Sequence, residues 1–481
     1  MPKILTILVS LLLTASLTAQ DSNWSLQRAV DYAVENNLTV GQLRAQQQLA
    51  EIQLRQNRLA RLPNVSASAN VGEQFGRTID PTSNEFIQQN ILFSGLQAQA
   101  SVVLYSGGSI RNGIRQAELD AQSARLQVTA TANDIRLQVA TFYLNVLLVR
   151  EQLNNARAQL SLVEGQIEQT DLLIEGGAIA PAQRLDLVAQ QAAAQRSIVE
   201  LENQLELSLL NLQQVLQLDY DPDFNIIVPD IDINRADLTQ TYSFEEIYTA
   251  AQQTQPDLRI AEINQQSAAI GIKVAKGGFA PTISVFGSLS SNYSDVARDF
   301  ANPDLTNAVL VPEQPIPVQI DGSDAMLTTF DIAGVTFPNK SYFDQLNENF
   351  GQSIGLSINV PIYSQGRNRL NVQRAEVTQL QSNIQYEQSR VDLQNEVQSA
   401  IANLRSSQAV YEAAQLSLQA AQDAYAQGQR RYDLGASTTL DLLNATNRLE
   451  QARIESTRAK YQLIFNQQVI RFYLGDRLSL N

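Results

Sequence analysis

Apolar residues follow two different periods along this chain, and the two alternate in blocks. Residues 114–164, 182–221, 367–427 and 436–474 contain neither glycine nor proline and are rich in Ala, Gln and Leu, all good helix formers. Within them apolar side chains recur three and four apart, as in Ile135, Val139, Phe142, Val146 and Leu147, with Gln, Asn and Arg between. That narrow stripe suits coiled-coil-like packing and not burial on all sides. The 61 residues of 367–427 alone reach about 90 Å at about 1.5 Å per residue, more than a globular domain of this size buries. Gly176, Gly177 and Gly435 break the rods and predict two antiparallel helical hairpins.

The blocks between the rods have the period of a strand. In 96–104, Leu96, Ala98, Ala100, Val102 and Leu104 share one parity, and Ile354, Leu356, Ile358, Val360 and Ile362 do the same further on. The strands before them agree: Val65, Ala67, Ala69 and Val71 in one case, Ile283, Val285, Gly287 and Leu289 in the other. One face is greasy and the other carries Ser, Asn, Gln and Gly, which suits a barrel with lipid outside and water inside. Tyr105 and Tyr363 close two matching strands, where an aromatic belt places amphipathic rings at the lipid boundary. A half-exposed sheet in a soluble protein gives the same alternation. Here, however, only four such strands are predicted and the helices use their own stripes among themselves. Closure with strands of other copies removes the bare edges and the exposed apolar face, so the chain is expected to be an obligate oligomer.

The second half repeats the first. Residues 25–65 match 243–283 at an offset of 218, with Leu26 on Phe244, Ala33 on Ala251 and Pro63 on Pro281. From 103–108 onward the offset is 258, carrying Gly177 onto Gly435 and Leu216 onto Leu474, so a 40-residue insertion lies between Pro281 and Tyr363. Two copies of one unit are the economical reading. The expected organisation has a signal peptide at 1–19, repeat 1 at 20–219, an equatorial linker at 220–242 and repeat 2 at 243–481. Repeat 1 holds helices at 25–62, strands at 63–105 and long helices at 109–174 and 182–219. Repeat 2 holds helices at 243–280, strands at 281–363 with a long loop about 294–348, and long helices at 366–433 and 437–475.

Composition narrows the functional classes. Lys3, the apolar run 4–13 and the small residues after it have the order of a secretory signal. Beyond it the most apolar stretch, 139–149, falls well short of the roughly 20 residues a spanning helix needs. The chain has no Cys, hence neither disulfides nor a thiol for an N-terminal lipid anchor, so membrane contact is expected through strands. The absence of His as well removes the commonest general base and metal ligand, and catalysis, cofactors and metals are not expected. A secreted hydrolase with paired carboxylates finds no converging acids. Net charge of −15 disfavours nucleic acid and anionic lipid surfaces and leaves proteins or small solutes as partners.

Several motifs, in order and twice over, carry a resemblance. They are Leu62-Pro63-Asn64-Val65 with Ala280-Pro281-Thr282-Ile283, Tyr105-Ser106-Gly107-Gly108 with Tyr363-Ser364-Gln365-Gly366, and Arg431-Tyr432-Asp433-Leu434-Gly435 followed by 440–445. Along nearly all of the mature sequence the chain resembles the outer-membrane factor, or outer-membrane efflux protein, family typified by TolC. The resemblance implies a homotrimer in the outer membrane, with a twelve-stranded β-barrel made of four strands per chain and continued by a long antiparallel α-helical barrel in the periplasm. It implies a passive conduit for efflux or type I secretion, opened by an inner-membrane pump of RND, ABC or MFS type with its periplasmic adaptor. The linker becomes a girdle around the tunnel and the 40-residue insertion an extracellular loop. A coiled-coil structural or adhesive surface protein is the alternative that the long helices alone permit, but it has no use for lipid-facing strands.

The same resemblance points to the hairpin tips as the periplasmic mouth, shut by polar links and narrowed by aspartate rings. Matched by motif, the tip tyrosine is Tyr432 and the first ring residue Asp441, whereas the second ring position is Asn444, the tip arginine is Ser437, and a Thr-Asp pair is Ala182-Gln183. An Arg and Asp lock is therefore not available, and a neutral hydrogen bond between Tyr432 and Gln183 is expected instead. Asp441 reads equally as a helix cap with Thr438 three residues before it, and Tyr432 as a packed seam aromatic. Gly177, Ala178, Gly435 and Ala436 are expected adaptor contacts by resemblance and need be no more than turn residues.

Overall fold

The computed structural model describes residues 23–79, 86–88, 90–177, 179–229, 238, 240–321, 323–434 and 436–476. The expected signal peptide at 1–19, most of the linker between 230 and 239, Ala178 and Gly435 lie outside the described residues. The fold is mixed α and β, dominated by helix. Strand β1 (Asn23–Trp24) leads into α1 (Leu26–Asn36) and α2 (Leu38–Leu59), then β2 (Asn64–Gln74), β3 (Arg77–Ile79), β4 (Phe86–Gln88) and β5 (Ile91–Ser106). Helices α3 (Ser109–Glu175) and α4 (Ala182–Leu216) follow, then β6 (Asn225–Ile226). The second half runs α5 (Phe244–Thr254), α6 (Pro256–Gly277), β7 (Thr282–Ser294), β8 (Val309–Pro312), β9 (Ile316–Ile320), β10 (Ser323–Leu327) and β11 (Phe330–Ala333). It ends with α7 (Tyr342–Glu348), β12 (Gly351–Asn359), α8 (Arg367–Asp433) and α9 (Thr439–Leu474).

The internal repeat reaches down to single hydrogen bonds. Ser25 caps α1 by accepting from the Arg28 N–H, and Ser243 caps α5 by accepting from the Glu246 N–H. The two helices end alike, with Asn37 donating to the Ala33 carbonyl and Gln255 to that of Ala251. At the far end of each copy α4 closes on Gln217 and α9 on Gly475, both left-handed. Gln217 tolerates a conformation that favours glycine while its side-chain oxygen accepts from the Leu38 N–H at 2.9 Å.

The chain divides into two compact units. The first takes in the described residues up to Leu54, then Gln116–Ala269 and Glu376 onward. Its core has two parts. One gathers Trp24, Ala29, Val30 and Ala33 against Val139, Tyr143, Leu147, Leu212 and Leu216; the other packs Ile247 and Ala251 against Leu393, Val397, Leu404, Leu463 and Ile470. Beside the first part β1 and β6 pair in parallel. Tyr143 bonds their flanks, its hydroxyl donating toward the carbonyls of Trp24 (3.0 Å) and Ile227 (2.6 Å), while Arg150 donates to the Ile226 carbonyl and to Asn225. Burial pushes the Tyr143 hydroxyl up to about 12, against smaller opposing effects of Arg150 and a backbone hydrogen bond, so it remains a neutral donor.

The second unit, Arg55–Arg115 with Ile270–Ala375, holds one antiparallel four-stranded sheet in the order β12-β7-β5-β2. Its register settles which side chains share a face, because directly paired residues point the same way. Val65, Ala100, Gly287 and Ile354 lie in one row, and Ala67, Ala98 and Leu289 in another. Ser66, Gln99, Ser288 and Ser353 make a row of the other face, where the Ser288 and Ser353 hydroxyls bond at 2.8 Å. All four apolar parities therefore fall on one side. That side is bare in the single chain: Val65 is 71% exposed and Ile354 86%. Two differences from the sequence expectation stand out. Strand β12 stops at Asn359, whose partner Thr282 is the first residue of β7, and Pro361 then lacks an N–H to continue, so Tyr363 lies beyond the strand and not at its close. The segment expected as a loop is partly ordered into the hairpin pairs β9/β10 and β8/β11 and the helix α7.

Candidate aperture at the tips of the helical hairpins

Within the first unit, α3 turns into α4 and α8 into α9. At the first tip Gly176 and Gly177 donate to the Leu172 and Ile174 carbonyls, with Gly177 at φ +70°, exposed and with open space where a Cβ would sit. At the second, Leu434 donates to Arg430 O and Ala436 to Arg431 O, and Ala436 is exposed. The two helices that leave the tips begin differently. Thr438 and Asp441 form a full capping box, the Thr438 hydroxyl oxygen accepting from the Asp441 N–H and the Asp441 carboxylate accepting from the Thr438 N–H. The equivalent start of α4 has Pro181 with no side-chain cap. Gln183, which the repeat aligns with Asp441, is thus free of capping duty.

It reaches across to the other hairpin. The Thr439 hydroxyl donates to Gln183 Oε1 at 2.8 Å, Tyr432 and Thr439 hydroxyls lie 3.4 Å apart, and Tyr432 and Thr170 hydroxyls 2.8 Å apart. The direct Tyr432 to Gln183 bond expected from sequence is thereby corrected: Thr439 stands between them. Proton counting orders the relay. Thr439 spends its one hydrogen on Gln183, so Tyr432 donates to Thr439 and Thr170 to Tyr432. Thr170, Tyr432 and Thr439 are all buried, and no charge takes part. Around this neutral line sit exposed polar bonds: Gln169 donates to the Asp433 carboxylate across the hairpins at 2.5 Å, and Arg184 pairs with Asp171 at 2.7 Å within the first. At this exposure such an ion pair contributes about 0–1 kcal/mol.

Asp441 is fully exposed, and the Thr438 backbone and hydroxyl, followed by the charge of Arg431, hold its carboxyl below the ordinary 3.8. Capping by an ionised Asp441 therefore persists at neutral pH and is lost only in acid, as the pH falls through that lowered value. Asn444 is exposed, and Ser437 has its hydroxyl buried without a hydrogen-bond partner. Of the membrane-belt candidates, Tyr105 lies in β5 just past an irregularity in its pairing with β7, and Tyr363 is 84% exposed outside any strand. Sequence reasoning missed Thr170 and Thr439. Their signal was a polar residue on an apolar stripe: Val163, Gln166 and Thr170 share one buried face of α3, and Gln166 donates to Thr446 across the same seam.

Known proteins match this arrangement over nearly its whole length. The model of the outer membrane efflux protein family matches residues 29–216 and 338–476, more than half of the chain. The chain is 25% identical over 471 residues to outer membrane protein TolC of Vibrio cholerae serotype O1, covering 97% of this chain and 95% of that protein. It is 25% identical over 462 residues to outer membrane efflux protein BepC of Brucella suis biovar 1, covering 92% and 83%. In fold it is similar to VceC from Vibrio cholerae, with a TM-score of 0.74 at 15% identity over 94% of this chain and 97% of that one. CusC gives a TM-score of 0.73 at 18% identity, over 94% and 92%. Fold and relatives together define the class, an outer-membrane efflux channel. The chain belongs to the outer membrane efflux protein family.

Proposed function

We propose that three copies of this chain form a passive conduit across the outer membrane, working with a periplasmic adaptor and an inner-membrane pump. The observation that supports it best is the four-stranded sheet: one face mostly apolar, the other mostly polar, and the edges β2 and β12 without partners among the described residues. Three such sheets joined edge to edge make a twelve-stranded barrel, apolar outside and wet within. No helix of the described residues is long and apolar enough to cross a membrane, which leaves the crossing to these strands.

The helical hairpins then form the periplasmic tunnel, and their tips the mouth. The relay from Thr170 to Gln183 holds the two hairpins of one subunit together, and three Asp441 carboxylates line the aperture while also capping α9. Gly177 and Ala436, with Ala178 and Gly435, are the surfaces on which the adaptor docks. Fibre formation loses its footing with membership in a channel family, since the sheet needs lipid or its own copies to cover it.

Single-channel recording of the purified protein in planar bilayers tests this reading. It predicts a small, cation-favouring conductance blocked by multivalent cations, with Asp441→Asn relieving the block and leaving the oligomer intact. A protein that never inserts contradicts the conduit, and block unaltered by Asp441→Asn removes the ring.

A further inference from the structure

We propose that α7 is an interfacial anchor, a short helix laid on the lipid-facing side of the sheet where the outer leaflet meets its headgroups. This rests on the reading above that the apolar face of the sheet meets hydrocarbon. The helix lies in the second unit with that sheet, and three observations place it.

The first is how it is fastened. Strand β12 begins at Gly351, opposite Ser290, so the last residues of β7 have no strand beside them on that edge. Helix α7 takes the vacant place with side chains. Gln345, 2% exposed, accepts from the Ser294 N–H at 3.0 Å and donates to the Ser294 carbonyl at 2.9 Å, the two bonds a neighbouring strand would supply. Asn349 donates to the Asn292 carbonyl at 2.8 Å. An edge that would otherwise stand open is closed by a helix.

The second is the face on which it lies. The Tyr342 hydroxyl bonds that of Ser94 at 3.2 Å, the Tyr342 ring meets that of Tyr293 at 4.8 Å, and the Ser291 hydroxyl donates to the Leu346 carbonyl. Ser94, Tyr293 and Ser291 belong to the apolar parity, continuing the rows of Val71 and Leu96. Leu346 and Phe350 wall a groove of about 520 Å³ floored by Ala67, Ala69, Ala98 and Leu289 of that face. Phe343 stands 79% exposed and Phe350 50%, while Glu348 pairs with Lys340 on the polar side.

The third is height. Tyr105 and the Ser94–Tyr293 pair are eleven residues apart along β5. At about 3.3 Å per residue and a tilt near 40° that is about 28 Å, the depth of the apolar band of a membrane barrel, about 25 Å. Tyr342 thus lies at one rim of the band with Tyr105 at the other. From Tyr293 down to Ser290, where α7 hands over to β12, the drop is about 8 Å, within the 5–10 Å to which interfacial helices sink. Continuity with the strand face, ring by ring, selects lipid as the occupant over a second protein.

Tryptophan quenching in proteoliposomes decides it. Trp24 is the only tryptophan, so Trp24→Phe gives a silent background. Into it go Phe343→Trp and, as a separate variant, Leu356→Trp on the apolar face of β12. The proposal predicts that both lose emission to brominated phospholipid, Phe343→Trp most to bromine near the headgroup and Leu356→Trp most to bromine near the chain end. Quenching of Leu356→Trp alone, with Phe343→Trp quenched by aqueous iodide or shielded from both quenchers, overturns the anchor and leaves the lipid-facing sheet standing. Failure of lipid to quench either overturns both. Adding Gln345→Ala to Phe343→Trp should weaken its lipid quenching; unchanged quenching would show that the edge contact does not position the helix.

Discussion

At the scale of single residues, the turns that join strand to long helix show how the cost of a side chain depends on what its Cβ would meet. Gly107 and Gly366 lie in matching turns at adjacent positions, Gly107 aligned with Gln365 and Gly366 with Gly108, and have φ of +63° and +76°. A Cβ on Gly107 would meet Ala280 Cβ at 2.5 Å and the Gly277 carbonyl oxygen at 2.6 Å, whereas one on Gly366 meets nothing within 4 Å. Gly366→Ala should therefore cost about 1 kcal/mol, the left-handed penalty alone. Gly107→Ala adds a collision with backbone that cannot swing away and should cost more than about 2 kcal/mol. The temperature at which the folded protein loses its β signal in detergent measures both, and equal losses would mean that the close approach of α6 carries no weight. Neighbouring Gln365, at φ +53°, shows that the second turn tolerates even a side chain in this region.

At the scale of elements, the hairpins are held by packing with a thin neutral polar line through it. Each link of the Thr170, Tyr432, Thr439 and Gln183 relay contributes about 0.5–1.5 kcal/mol, less than charge-assisted links would. A double-mutant cycle of Thr439→Val and Gln183→Ala should return a coupling of that size in the closed-to-open equilibrium of the channel. A coupling near zero would point to a different lock. The rods themselves were legible because residues such as Ile135, Val139 and Val146 keep strict spacing; α3 also runs unbroken through Gly165. The relay was not legible. Tyr432 and Gln183 mark its neighbourhood, but only packing places Thr439 between them, and a threonine at a helix start reads first as a cap.

At the scale of the whole molecule, two offsets in the sequence describe two copies of one unit, and Ser25 and Ser243 cap α1 and α5 by the same bond. The strand alternation foretold a two-faced sheet, and the register joins all four parities on one side. Helix α7 escaped because its seven residues are too few for a period and its fastening is a glutamine mimicking a strand. We propose that other copies complete the sheet. Its edges β2 and β12 are three strand intervals apart, about 14 Å, too far for a disulfide within one chain. With no native Cys, pairs such as Ser66→Cys with Ser357→Cys, scanned along both edges, can be oxidised cleanly in membranes. If the barrel is shared, some registers give covalent trimers on a denaturing gel; uncrosslinked monomer at every register, from protein recovered in soluble form, would rule the shared barrel out.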